Sequence, residues 1–159
     1  MIPNFNGMQY IQTCLESLYG GTTKEIAVIV VDNASTDGSM ELVRDRFPQV
    51  KLITNQTNTG FSHAVNQGIR LSTTPYVILL NNDTQVDLSF VHELEKVMDN
   101  DRRKRLFSAS AKLISLYDKE VMDDAGDYYC ALGWAFARGK GKSAAYYNKD
   151  CDIFAACAG

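Results

Sequence analysis

Residues Ile26–Ser39 read IAVIVVDNASTDGS, an apolar, β-branched run that ends abruptly in carboxylates, an amide and hydroxyls. An uninterrupted run of this kind reads as a strand covered on both faces, the habit of parallel sheets. Its polar end is then the C-terminal end of the strand. Tyr76–Thr84, YVILLNNDT, has the same form about fifty residues later. In open α/β sheets, ligands bind outside the carboxyl ends of the strands. Two such turns therefore place a site at one edge of one sheet.

The segments around these strands fit that sheet. Met1 to Pro3 reads as the last residues of a strand, and Asn6-Gly7 as a turn. Met8, Ile11, Cys14, Leu15, Leu18 and Tyr19 recur at helical spacing until Gly20-Gly21 stops them. Ser35 or Thr36 is expected to cap the next helix, with Asp37 in its first turn and Met40, Val43 and Phe47 on its inner face. Val50–Thr54 reads as a short strand and Asn55 to Gly60 as a polar loop. Phe61, Ala64, Val65, Gly68 and Ile69 mark a third helix, with Gly68 suggesting close helix-to-sheet packing. Pro75 precedes the expected strand Tyr76–Leu80. Asp87 or Ser89 starts a fourth helix carrying Leu88, Val91, Leu94 and Met98. This alternation predicts an α/β fold with a mostly parallel sheet and right-handed crossovers. Beyond it, Asp101–Arg105 (DRRKR) reads as a solvated helix end or loop and Leu106–Leu116 as a further strand. Asp123–Lys142, rich in glycine and aromatics, reads as a loop or irregular hairpin.

Bulk properties narrow the class. The chain has 159 residues, 45% hydrophobic and 22% charged, which suits one globular domain. A formal charge of -3 argues against a general nucleic-acid binder. Cys14, Cys130, Cys151 and Cys157 form no CxxC pair, which argues against zinc and reads as reduced thiols in a cytosolic protein. No apolar run is long enough to span a bilayer, and the first residues, with no basic segment followed by an apolar one, do not read as a signal peptide. Both ends read as cut: Pro3 and Asn4 come before a strand has run, and DIFAACAG closes without a stop signal.

The candidate chemistry lies in the turns. Asn81, Asn82 and Asp83 offer oxygen ligands to a divalent cation, and Asp83 is the only formal anion among them. The plainer alternative is an Asx turn satisfying the backbone. Asp32 and Asn33 can pair with a base edge or a ribose hydroxyl. Phe5 offers a flat face to a base, or packs in the core. The start of Thr59–Gly68 (TGFSHAVNQG) offers helix N–H groups to phosphate, and His63 either touches a phosphate oxygen or packs at the surface. There is no GxGxxG and no P-loop, which counts against a dinucleotide fold and a Walker-type NTPase.

In this order, PNFNG, VVDNASTDGS, NTGFSHAVNQGI and YVILLNNDT resemble the inverting family 2 glycosyltransferases, especially their rhamnosyltransferase-like branch. The likeness is close from Ile2 to about Phe90 and looser to Gly159. It implies the Rossmann-like GT-A fold of nucleotide-diphospho-sugar transferases. It also implies one donor-binding domain over 1–159, with an α/β core at 1–116 and the start of an acceptor-side region at 117–159. By position, the resemblance puts Pro3, Phe5, Asn6, Asp32 and Asn33 around the nucleoside, and Asn81 and Asn82 on the nucleotide. Asp83 and Asn81 fall on the ends of the family's DxD motif. Asp83 would be the main ligand of Mg2+ or Mn2+, and Asn81 departs from the acidic residue often found there.

The activity implied is transfer of a sugar, with inversion, from a UDP-, dTDP- or GDP-linked donor to a saccharide or lipid-linked acceptor in cell-surface polysaccharide synthesis. The setting implied is the cytoplasm at the inner face of the membrane, with peripheral association through regions outside this chain. The catalytic base of the family has no counterpart here, and Asp123, Asp124 and Asp127 lie in the wrong segment for it. The alternative is a non-catalytic nucleotide-sugar-binding fragment or module. Sugar-phosphate nucleotidyltransfer fits less well, because PNFNG is not the glycine- and Lys/Arg-rich loop which that activity uses.

Overall fold

A computed structural model describes residues 1–21, 26–102 and 105–156. They form two compact units, Met1–Val91 and His92–Gly159.

The first unit is an α/β layer structure. Three parallel strands, β1 (Ile2–Asn4), β2 (Ile29–Asp32) and β3 (Lys51–Thr54), lie in that order. In register, Asn4 stands beside Asp32, and Asp32 beside Thr54. Helices α1 (Ile11–Gly21), α2 (Ser39–Arg46) and α3 (Phe61–Leu71) follow β1, β2 and β3 in turn. Alternate β2 side chains feed two cores. Val28 and Val30 join Ile2, Ile11, Cys14, Leu15, Met40 and Val43, whereas Ile29 and Val31 meet Ala64 of α3. Burial on both faces is why β2 is continuously apolar. Each such side chain contributes roughly 2 kcal/mol when fully buried. Close packing at Gly68 is borne out: a β-carbon there would lie 2.3 Å from the Met1 Cγ.

Three expectations change. Tyr76–Leu80 is not a regular strand. It runs beside β1 through two hydrogen bonds, from the Met1 amino group to the Ile78 carbonyl (2.9 Å) and from the Leu80 N–H to the Met1 carbonyl (3.1 Å). Pro3 occupies the next bonding position on that side and has no N–H to extend the ladder. Secondly, neither Ser35 nor Thr36 caps α2. That helix starts at Ser39 after Gly38 in the left-handed region, while the Ser35 hydroxyl is drawn to the Asp32 carboxylate. Asp37 stands just ahead of α2 and accepts from the Ser39 N–H (3.0 Å). Thirdly, Leu106–Leu116 yields only β4 (Leu113–Ile114), and Phe107 is exposed.

The fourth helix forms as expected, α4 (Phe90–Asn100), with Asp87 accepting from the Ser89 N–H just before it. In the second unit, β4 pairs with β5 (Met122–Asp124), and β6 (Asp127–Tyr129) with β7 (Ala135–Ala137). Both pairs are antiparallel, so the glycine-rich stretch is a hairpin. Among the described residues no helix is long and apolar enough to cross a membrane. Part of DRRKR (103–104) and part of FAACAG (157–159, with Cys157) lie outside the described residues. Cys14, Cys130 and Cys151 are free thiols.

Candidate functional site

The sheet fixes where a ligand fits. The chain moves outward from β1 to β2 to β3, then returns to the other side of β1 with 76–80. That reversal is a topological switch point, and the crevice at its carboxyl edge is the expected binding place. Three segment ends meet there: Asn4-Phe5 after β1, Asp32-Asn33 after β2, and Asn81–Asp83.

Asn4 joins them. It is buried, at 2% exposure. Its Nδ2 donates to Asp32 Oδ1, Ser35 Oγ and Ser39 Oγ, each at 3.1 Å. Its Oδ1 accepts from Asn82 Nδ2 at 2.7 Å. One amide thus bridges the two acidic turns that stood out in the sequence. As a polar residue in a strand remnant, Asn4 carries no periodic signal in the sequence, and its register with Asp32 emerges only with the sheet.

Asp32 is buried at 2% exposure, and its oxygens are engaged within the protein. Oδ1 accepts from Asn4 and from the Ser35 hydroxyl, and Oδ2 accepts from the Ser35 N–H at 3.0 Å. Asn33 is also buried. Its Nδ2 donates to the Gly60 carbonyl (3.2 Å), and its Oδ1 accepts from Asn55 Nδ2 (2.9 Å) and Thr59 Oγ1 (3.1 Å). Asn33 therefore ties the 55–60 loop to the sheet edge. His63 joins the same network through Thr59, at 2.9 Å from Nδ1.

The β1 turn is stitched to the DNAS turn. The Asn6 N–H donates to Ser35 Oγ (2.8 Å), and Asn6 Oδ1 accepts from the Thr36 N–H (2.9 Å). The Met8 N–H donates to Asp37 Oδ2 at 2.7 Å. Desolvation pushes the Asp37 carboxyl up. Hydrogen bonds from the Ser39 hydroxyl and the Met8 and Ser39 N–H groups outweigh it and hold the pKa below the ordinary value. Asn6 (φ 51°) and Ala34 (φ 65°) both occupy the left-handed region. Asn tolerates it, but for Ala34 it costs about 1 kcal/mol or more, strain of the kind that clusters at functional sites. Pro3 is half-buried within β1, whereas Phe5 is half-exposed and Asn6 exposed.

The NND turn is held from below by α1. The Asn81 carbonyl accepts from the Thr84 hydroxyl (2.7 Å) and the Cys14 thiol (3.6 Å), and Ser17 Oγ accepts from the Val86 N–H (3.1 Å). Burial pushes the Cys14 thiol up to about 11, so it stays protonated beside that carbonyl. Asn81 and Asn82 are half-buried, whereas Asp83 is exposed. Among the described residues, none of the hydrogen bonds at this edge uses the Asp83 carboxylate. Among the described residues no group of three or more His, Cys, Asp or Glu side chains converges as a metal site. The donor set, one free carboxylate and neighbouring amide oxygens, suits a hard cation that shares its shell with substrate oxygens and waters.

Residues 1–107, the whole of the first unit and part of the second, match Glycosyl transferase family 2. The chain belongs to that family. The uncharacterised glycosyltransferase YibD of Escherichia coli K12 is 35% identical to it over 89 residues, covering 54% of this chain and 26% of YibD. An N-acetylglucosaminyl-diphospho-decaprenol L-rhamnosyltransferase of Mycobacterium tuberculosis is 35% identical over 60 residues, covering 38% of this chain and 20% of that protein. The mannosyltransferase PcManGT of Pyrobaculum calidifontis, solved in complex with GDP-Man and Mn2+, matches with a TM-score of 0.58 at 25% identity. That match covers 63% of this chain and 31% of PcManGT. The family 2 chain spans about a quarter or less of the two curated relatives. The GT-A fold and the likeness to rhamnosyltransferases expected from the motifs are both borne out.

Proposed function

We propose that this chain carries the donor site of a glycosyltransferase that moves a sugar from a nucleoside diphosphate to a saccharide or lipid-linked acceptor, with inversion, in cell-surface polysaccharide synthesis. One observation carries the reading: Asn4 bridges Asp32 and Asn82 at the switch point, which supports one ligand reaching both turns. Family membership supports the reaction class. PcManGT, bound to GDP-Man and Mn2+, supports the ligand class. The relative named for a diphospho-decaprenol-linked N-acetylglucosamine supports a lipid-linked acceptor.

In this reading Pro3, Phe5, Asn6, Asp32 and Asn33 surround the nucleoside, and Phe5 supplies its half-exposed ring to the base. Asn81 approaches the diphosphate, and Asn82 contacts the nucleotide beside it. Asp83 and Asn81 are the residues that would hold Mg2+ or Mn2+. When bound, that ion neutralises charge on the departing nucleoside diphosphate. The acceptor hydroxyl attacks the anomeric carbon on the face opposite the leaving oxygen, which inverts the centre. The base that removes the hydroxyl proton belongs to a part of the protein outside this chain. The reaction takes place at the cytoplasmic face of the membrane.

Calorimetric titration with UDP, dTDP and GDP, each with and without Mn2+, tests the proposal. Binding of one of them, strengthened by Mn2+, is the expected result. A folded sample that binds none of the three would overturn it.

A further inference from the structure

The Asn4 side chain has only one workable orientation, and the reason lies in its neighbours. Three atoms surround its nitrogen: Asp32 Oδ1, Ser35 Oγ and Ser39 Oγ. The carboxylate has no hydrogen to give. Ser35 has already donated its hydroxyl hydrogen to Asp32, and Ser39 has donated its own to Asp37 Oδ1 at 2.6 Å. All three are therefore pure acceptors toward Asn4. The NH2 group must face them, and the carbonyl must face Asn82. Asn82 in turn must offer its NH2 to that carbonyl. Among the described residues, its own Oδ1 then has no hydrogen-bond donor from the protein.

We infer that Asn4 is a positioning residue that relays the polarity of two carboxylates, Asp32 and Asp37, to Asn82, so that Asn82 presents an acceptor oxygen to the ligand. Asn82 then accepts from an O–H group, a sugar hydroxyl or a metal-bound water, and does not donate to a phosphate oxygen. Sequence alone leaves either end of an amide free to face a ligand, and here the buried network decides between them. The inference rests on the donor-site reading for its ligand half only. The relay itself exists in the ligand-free chain.

Asn4→Asp keeps the shape and an accepting oxygen toward Asn82 but removes the donor toward Asp32, so what unseats it is repulsion between the two carboxylates. At neutral pH the introduced carboxylate faces Asp32 and cannot hydrogen-bond to it. Two carboxyls in contact take up a shared proton well above the ordinary carboxylate range. Protonation restores one donor and hence the relay.

The first measurement is the side-chain amide spectrum of the ligand-free chain between about pH 8 and about pH 5. In the wild type the Asn82 NH2 signals should hold still. In Asn4→Asp they should be displaced at the upper pH and return as the pair protonates. Asn4→Leu removes the acceptor as well and should displace the Asn82 NH2 signals at every pH, and their indifference to Asn4→Leu would overturn the relay. If that variant does not fold, Asn82→Ala replaces it. The Asn4 NH2 signals should then remain protected, because Asp32, Ser35 and Ser39 still hold them, and their collapse to solvent-like positions would overturn the relay.

The second measurement is binding of UDP, dTDP and GDP with Mn2+, and of UDP-glucose, dTDP-glucose and GDP-mannose with and without Mn2+. Asn4→Asp should weaken binding roughly three- to tenfold at the upper pH and recover as pH falls. Asn4→Ala combined with Asn82→Ala should cost no more than either change alone, since both remove one linkage. Additive losses would overturn the coupling. A loss seen with the sugar nucleotides in the absence of Mn2+ assigns the contact to a sugar hydroxyl. A loss confined to Mn2+-loaded samples assigns it to a metal-bound water. A wild type that binds no nucleotide sinks the donor reading and the ligand role of Asn82 together, while the amide signals still decide the relay.

Discussion

A side-chain carbon on Gly7 would stand 2.2 Å from Asn82 Nδ2, closer than any contact a real β-carbon makes. It would also lie 2.3 Å from Asn4 Oδ1. Gly7 is therefore the gap in which the two amides meet. Its φ is not positive, so an alanine there meets a steric problem and no backbone strain. Gly7→Ala should swing Asn82 aside and break the 2.7 Å bond. The expected cost is about 1 kcal/mol of stability, the net worth of one hydrogen bond, together with weaker nucleotide binding. Thermal unfolding and calorimetry check both. A variant as stable and as tight as the wild type would show that the bond is immaterial.

Asp83 is exposed and, among the described residues, takes no part in the hydrogen bonds at this edge. Asp83→Ala should therefore leave the unfolding transition within about 0.5 kcal/mol of the wild type. The strengthening of nucleotide binding by Mn2+ should disappear. Titrations with and without the metal separate this from a general loss of binding. Retained Mn2+ dependence would move the metal away from Asp83.

Much of the first unit was legible because burial writes itself into sequence. Val28–Val31 is apolar throughout because helices cover both faces, and Ile11, Cys14, Leu15 and Leu18 fall at helical spacing because one face is buried. What escaped was decided by hydrogen-bond competition between distant residues. Ser35 looks like a helix cap until the Asp32 carboxylate claims its hydroxyl. Tyr76–Leu80 has strong strand character, yet its ladder depends on Pro3, 73 to 77 residues earlier in the chain. Asn4 carries no local signal at all, because its importance comes from partners 28 and 78 residues away. Leu106–Leu116 is apolar in composition, but side chains such as Phe107 and Leu116 remain exposed, so apolar content alone did not make a strand.

The Cys14 thiol gives the fold a pH dependence at the alkaline end. Burial is the largest cause of its raised pKa, about 11 against an ordinary 9.0. The folded chain therefore favours the neutral thiol. This contribution is fully present below about pH 9 and is lost as pH rises through about 11. Its size is roughly 2 to 3 kcal/mol. Denaturant unfolding of the wild type and Cys14→Ala at about pH 8 and about pH 11 should show a gap between them that shrinks on the alkaline side. A constant gap would mean that the thiol does not titrate with unfolding. Thiol labelling near neutral pH should modify the exposed Cys151 at once and spare Cys14.

Asn33 separates a loop-holding role from a direct contact with ligand. Its amide spends both ends on the 55–60 loop: the nitrogen on the Gly60 carbonyl, the oxygen on Asn55 and Thr59. Asn55 is also locked in a reciprocal pair with Gln67 of α3, both bonds at 2.9 Å. Removing Asn33 therefore unties the loop from the sheet edge but leaves it tied to α3. Asn33→Ala should cost about 1 to 3 kcal/mol, because buried partners lose their hydrogen bonds. Amide exchange should accelerate across 55–60 and not in β1. Gln67→Ala touches the loop only through Asn55, so it should accelerate the same amides by less. If nucleotide binding falls in step with loop exchange across both variants, Asn33 acts through the loop. If binding falls in Asn33→Ala while exchange stays at the wild-type rate, the side chain acts on the ligand directly and the loop network is incidental.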